Sequence, residues 1–69
     1  MRVIQTIEEK INLGLYKEAF FLLADNWNTI PKKVYGDFME KIVLWAEEND
    51  EVFYEKLYQL SLKFQAKLN

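Results

Sequence analysis

Neither cysteine nor histidine occurs among the 69 residues of the chain. Their absence removes disulfide staples, thiol nucleophiles, Cys/His zinc sites and imidazole acid–base catalysis together. Serine occurs once, as Ser61, with no histidine to activate it, so its expected task is that of a small residue beside a packed helix. Glycine is limited to Gly14 and Gly36 and proline to Pro31. That leaves no Gly-rich phosphate loop and little chain that reads as linker. No apolar run approaches the roughly 18 to 20 residues of a membrane span. In the opening MRVIQTIEEK, Glu8 and Glu9 stand where a signal peptide carries its uncharged apolar region. The chain is therefore expected to be cytoplasmic, with no membrane partner.

Charge narrows the classes further. Nine Lys and Arg against eleven Asp and Glu give a net charge of about −2, which argues against a nucleic-acid surface built on phosphate neutralisation. A DNA-reading helix needs exposed Arg, Lys, Asn or Gln. The short second helix instead offers Lys17, Glu18, Asp25 and Asn26, two of them acids. The cluster Glu47, Glu48, Asp50, Glu51 lacks the alternating ligands and central glycine of a calcium loop and reads as a solvated hairpin corner. Paired carboxylates act as catalysts only in a cleft that raises one pKa, and a chain this short has little material for one. The expectation is no enzyme, with no catalytic, metal or cofactor residue and no small-molecule substrate.

What the chain does have is apolar bulk: 51% hydrophobic residues and aromatics that comprise 5 Phe, 4 Tyr and 2 Trp. A single domain spanning residues 1–69 buries a smaller share of its surface than a typical domain does. A dense core or an extra interface must supply the missing stability.

The apolar spacing is helical throughout. At about 100° per residue, Val3, Ile4, Ile7 and Ile11 share one face of residues 2–12, with Gln5, Glu9 and Asn12 opposite. This predicts a first amphipathic helix, ended by Gly14 just past its C-terminus. A second helix is predicted from Tyr16 to Asn26 or Trp27, with the inward stripe Tyr16, Ala19, Phe20, Leu23 and Trp27. Asn28-Thr29-Ile30-Pro31 reads as stop and restart, since Pro suits a first helical position and Thr or Asn can cap just before it. A third helix, Pro31 to about Asn49, carries a wide arc of Val34, Tyr35, Phe38, Met39, Ile42, Val43, Trp45 and Ala46. Such an arc requires neighbours on two sides. Gly36 inside it costs about 0.5 to 1 kcal/mol relative to Ala and marks an expected close helix approach. Asn49-Asp50 ends this helix and caps a fourth, Glu51 to about Leu68, with the stripe Phe53, Leu57, Leu60, Phe64 and Leu68.

Charges along the fourth helix agree with its macrodipole, whereas the third has Lys32-Lys33 at its start and Glu47-Glu48 at its end. That inversion either marks function or is compensated by neighbouring helix ends. Lys56, Lys63 and Lys67 share a face, which fits an anionic partner or, alternatively, lysine stems that cover the core edge.

The residues Gly14-Leu15-Tyr16-Lys17-Glu18-Ala19, with Leu23 and Pro31, resemble the turn and second helix of a tetratricopeptide repeat, where Gly-x-Tyr-x-Glu-Ala precedes a large apolar residue and a closing Pro. The family's first-helix signature of Trp, Leu-Gly and Tyr is not found upstream, and Asn26 stands where a small Ala is expected. The resemblance is confined to residues 14–31. Residues 31–68 form a second helix-turn-helix unit of about the family's 34-residue period, although its turn reads EENDE. The resemblance implies a protein-binding scaffold of two stacked units, marginally stable unless capped or paired.

In the run Phe20-Phe21-Leu22-Leu23, only Phe20 and Leu23 lie on the inward stripe. Phe21 and Leu22 are expected to leave the domain on two different sides, and Leu44 and Leu62 fall on polar arcs of their helices. Either imperfect helix geometry buries some of these side chains or they form a surface. The second alternative makes Phe21, Leu22, Leu44 and Leu62 a partner-binding set, for self-association as a homo-oligomer or for docking another protein. The competing expectation is a small acidic regulatory inhibitor that binds and blocks an enzyme or transcription factor. The fold expected is all-α, four helices as two antiparallel helical hairpins, in a small bundle or a two-repeat tetratricopeptide-like stack.

Overall fold

The computed structural model describes the backbone of residues 2–68 and the side chains of residues 2–60 and Leu62. Four helices follow one another: α1 (Arg2–Asn12), α2 (Tyr16–Asp25), α3 (Lys32–Asn49) and α4 (Glu51–Leu68). No strand occurs among the described residues. The helices form two antiparallel hairpins that pack into a small bundle, and each helix packs chiefly on its neighbour in the chain. The Cα envelope of 30 × 28 × 16 Å is two helices deep in its thin direction, given interaxial distances of about 8 to 10 Å.

Local chemistry makes each turn. Gly14 adopts φ +79°, and around it the Leu15 N–H donates to the Lys10 carbonyl (2.8 Å) and the Gly14 N–H to that of Ile11 (3.0 Å). These are the two bonds of a Schellman motif, which closes α1 and turns the chain into α2. At the end of α2 the Asn26 backbone N–H reaches the Leu23 carbonyl (3.3 Å), and its side-chain amide donates to that of Leu22 (2.8 Å). One residue thus satisfies two of the carbonyls that a helix end leaves unpaired. At the end of α3 the Asn49 side chain donates to the Trp45 carbonyl (2.9 Å), and the Asp50 N–H donates to that of Ala46 (2.8 Å). A single residue, Asp50, separates α3 from α4, and its Oδ1 accepts the Phe53 N–H (3.1 Å) as the predicted N-cap.

Ile7 and Ile11 of α1, Ala19, Phe20 and Leu23 of α2, Phe38, Ile42 and Ala46 of α3, and Phe53 and Leu57 of α4 are buried in one cluster. Ile30, in the α2–α3 connection, completes it. The cluster contains no buried polar or charged side chain among the described residues, so its contribution is apolar burial, about 1.5 to 3 kcal/mol for each large side chain. Tyr16, Val34, Tyr35, Met39, Val43 and Trp45 pack around it half-buried, as the wide arc of α3 requires.

Four local expectations need correction. Trp27 lies past the end of α2 and is exposed, because the helix stops at Asp25 before the inward stripe returns to that position. Leu60 lies on the α4 stripe by period yet is exposed. Phe64 and Leu68 of the same stripe have side chains outside the described residues. No side chain caps α3; Pro31 takes the N-cap position, and the Thr29 hydroxyl turns back to donate to the Asn26 carbonyl (3.0 Å). Gly36 marks no close approach, since a Cβ there meets nothing within 4 Å.

The two glycines therefore respond in opposite directions to alanine. Gly36→Ala, in an open helical position, is expected to stabilise the protein by about 0.5 to 1 kcal/mol. Gly14→Ala, at positive φ, is expected to destabilise it by about 1 to 2 kcal/mol. Urea unfolding of both variants, followed by circular dichroism, checks the signs.

Candidate interaction surface

The two hairpins meet at an aromatic corner. The Tyr16 ring, at the start of α2, stacks on Trp45 near the end of α3, with centroids 5.0 Å apart and planes 10° from parallel. Trp45 meets Phe53 of α4 edge-on at 6.2 Å, and Phe53 meets Phe20 of α2 edge-on at 5.6 Å. Offset stacks and edge-to-face contacts of this kind suit the aromatic quadrupole. Three helices therefore share one aromatic cluster.

A charged group closes the corner. Lys17 Nζ lies 2.6 Å from Asp50 Oδ2 and 5.6 Å from the centroid of Phe53. The ammonium group pairs with the carboxylate while facing an aromatic ring. The hydrogen bond from Lys17, aided by the one from the Phe53 N–H, holds the Asp50 carboxyl below the usual carboxylate range. Because Asp50 is also the C-cap of α3, Lys17 brings to the end of that helix the cation its own last turn lacks. At its C-terminal end, the charge inversion noted in α3 is thus offset by a neighbouring element. A second cross-turn pair, Lys10 with Glu18 at 3.8 Å, spans the α1–α2 turn.

The expected partner-binding residues have different fates. Phe21, Leu44 and Leu62 are exposed to 62, 56 and 47% respectively. Leu22 is half-buried and packs against the core, so it does not leave the domain as its wheel position implied. Phe21 turns its ring towards Phe20 (5.9 Å between centroids). Phe21 lies on α2, Leu44 on α3 and Leu62 on α4. Leu44 stands six residues before Asp50 and Leu62 twelve after it, which in an antiparallel hairpin separates them by about 9 Å along the helix axes. They belong to different parts of the surface.

The structure adds exposed apolar residues that were not singled out. Leu13 and Leu15 flank Gly14 in the first turn, and Val52 and Tyr58 lie on α4. Val52 and Tyr58 lie off the Phe53–Leu57 stripe by the same helical spacing that isolates Leu62, so the signal was available. Two shallow depressions mark the surface, one lined by Gln5, Glu8, Glu9 and Asn12 of α1, the other by Glu51, Tyr54, Glu55 and Tyr58 of α4. Each belongs to one helix, so neither is a cleft between elements. Among the described residues, no three acidic side chains converge to hold a metal ion, and no helix is long and apolar enough to cross a membrane.

The lowered pKa of Asp50 gives the corner an acid sensitivity. Its contribution to stability is present above the unfolded carboxyl pKa, about 3.9, and is lost as the pH falls through the lower folded value. Asp50→Asn keeps a capping side chain and loses the charge. Its urea midpoint is expected to lie below that of the parent at pH 6, the difference closing as the pH is taken below about 4.

No family model, curated protein or solved structure matches the chain.

Proposed function

We propose that the chain is a non-catalytic, cytoplasmic protein–protein interaction module that associates with itself or docks a protein partner through apolar side chains left on its helices. The observation that carries this reading is the exposure of Phe21, Leu44 and Leu62 in a short chain without cysteine. Large apolar side chains of this kind supply the anchors of protein interfaces, and small scaffolds draw stability from association. On this reading the chain takes no small-molecule substrate, cofactor, metal, membrane or nucleic acid, and its two hairpins serve as a tetratricopeptide-like scaffold.

The test is solution mass by sedimentation, from low micromolar to millimolar chain, with thermal unfolding at each concentration. Association with a midpoint that rises on concentration is expected. At least one of Phe21→Ser, Leu44→Ser and Leu62→Ser is expected to weaken it roughly tenfold. A monomer at every concentration, with all three variants matching the parent in stability, overturns the reading.

One observation favours a second reading, in which an acidic corner blocks a basic site on an enzyme or transcription factor. Asp50 is engaged by Lys17, while Glu47, Glu48 and Glu51 remain exposed around it. A paired reversal, Glu47→Lys with Glu48→Lys, separates the two. It should slow association with a basic partner by tenfold or more and leave apolar association within about twofold.

A further inference from the structure

Several features of α3 have no task inside the domain. Gly36 is exposed in mid-helix, where a Cβ meets nothing within 4 Å, and Leu44 is exposed one turn or two beyond it. Lys32 and Lys33 at the start and Glu47 and Glu48 at the end are exposed and set against the helix dipole. None of the four is in an ion pair among the described residues, and Lys17 offsets only the C-terminal end of the inversion. These residues share one side of the helix. Positions 33, 36, 44 and 47, all exposed, lie within about 40° of Glu40 around the helix axis. Lys32 and Glu48 border the strip on its two sides, about 80° out.

A strip that is basic at one end and acidic at the other is complementary to its own reverse. Counted outward from Glu40, Gly36 and Leu44 lie four residues either side, Lys33 and Glu47 seven, and Lys32 and Glu48 eight. A second α3 laid antiparallel over the first, with the crossing at Glu40, therefore brings Lys32 and Lys33 of each copy beside Glu47 and Glu48 of the other. The two charge clusters stand about 21 Å apart along the helix. Between them, Lys33, Gly36, Asp37 and Glu40 have the spacing i, i+3, i+4, i+7 of the hole that receives a knob in helix-on-helix packing. Leu44 of the opposite copy is the knob, and the glycine leaves it room. At the crossing itself the two Glu40 carboxylates meet, a like-charge contact that costs affinity. A parallel pair instead sets Lys against Lys and Glu against Glu at both ends.

The geometry points to a second copy of this chain as the occupant of this face, in an antiparallel α3–α3 dimer with Leu44 seated over Gly36 of the partner subunit and the lysines of each copy paired with the acids of the other. The inference rests on the proposed role in protein association and names its surface and partner. A two-fold contact uses the same patch on both copies and stops at two. Within the monomer the glycine and the inverted charges each cost stability; in the dimer each has a contact. The outward face of α2 does not compete for a second copy. Lys17 and Asp25 lie four residues either side of Phe21 there, but the lysine is already held by Asp50.

The test measures dimer dissociation by sedimentation of the full chain and of two charge-reversed variants. Lys32→Glu with Lys33→Glu, and Glu47→Lys with Glu48→Lys, each set like charges together and are expected to weaken the dimer roughly tenfold. Both reversals also bring the ends of α3 into agreement with its dipole, so the monomer fold is expected to hold, which circular dichroism checks. An equimolar mixture of the K32E/K33E chain with the E47K/E48K chain is the decisive sample. It restores every pairing and is expected to associate within about threefold of the parent. In this dimer the Glu47/Glu48 reversal weakens self-association as it would weaken binding to a basic partner, and only self-association is rescued by the complementary chain. Glu40→Gln is expected to tighten the dimer about threefold. Gly36→Ala is expected to weaken it by about the same factor while stabilising the monomer. A parent chain that stays monomeric to millimolar concentration overturns the inference. So does a mixture that associates no better than either variant alone. A dimer that ignores both reversals but is lost in Phe21→Ser or Leu62→Ser overturns this surface while sparing the broader reading.

Discussion

The stacking of Tyr16 on Trp45 is the contact on which the rest of the arrangement depends. Each hairpin is made by local bonds: a Schellman turn in the first and a one-residue Asp50 cap in the second. Neither turn says how the hairpins sit on each other. Tyr16 and Trp45 come from opposite hairpins and lie 5.0 Å apart, and Phe53 then fits edge-on against both Trp45 and Phe20. Each such pair is worth about 0.5 to 1.5 kcal/mol beyond the area it buries. The Lys17–Asp50 pair lies over the same corner, but it is partly exposed, and solvent screens such pairs. Its larger effect is directional. It ties the start of α2 to the residue at which α3 ends and α4 begins.

Much of this was legible along the chain because it is periodic or local. The bounds of α1 and α4, the positive φ of Gly14 and the Asp50 cap follow from patterns a few residues long. The buried residues of α1 and α3 are those of the predicted stripes. What periodicity missed is what depends on how far a neighbour extends. Leu60 lies on the correct face of α4 yet is exposed. Leu22 lies on the wrong face of α2 yet reaches the edge of the core. Ile30 is buried from a connection, where no helical period applies. The ion pair between Lys17 and Asp50 joins residues far apart in sequence, and no local motif announces it.

The candidate surface shows the same division. A helical wheel can say that Phe21, Leu44 and Leu62 point away from the core. It cannot say how far apart they lie in space, nor that Leu22 beside Phe21 packs on the core. Grouping them requires the fold. Once the helices are placed, Phe21 and Leu44 stand on α2 and α3, whereas Leu62 and Tyr58 lie four residues apart on one side of α4.

A row of helices in which each packs on the next has two ends, and its stability depends on what those ends show to water. At the α1 end the chain presents amide and carboxylate side chains, which need no cover. At the α4 end it presents Tyr58 and Leu62, with acids in the first turns of the helix and lysines in the last. Such an unequal pair of ends disfavours an indefinite stack, in which α4 would have to bury its apolar row against the polar face of α1.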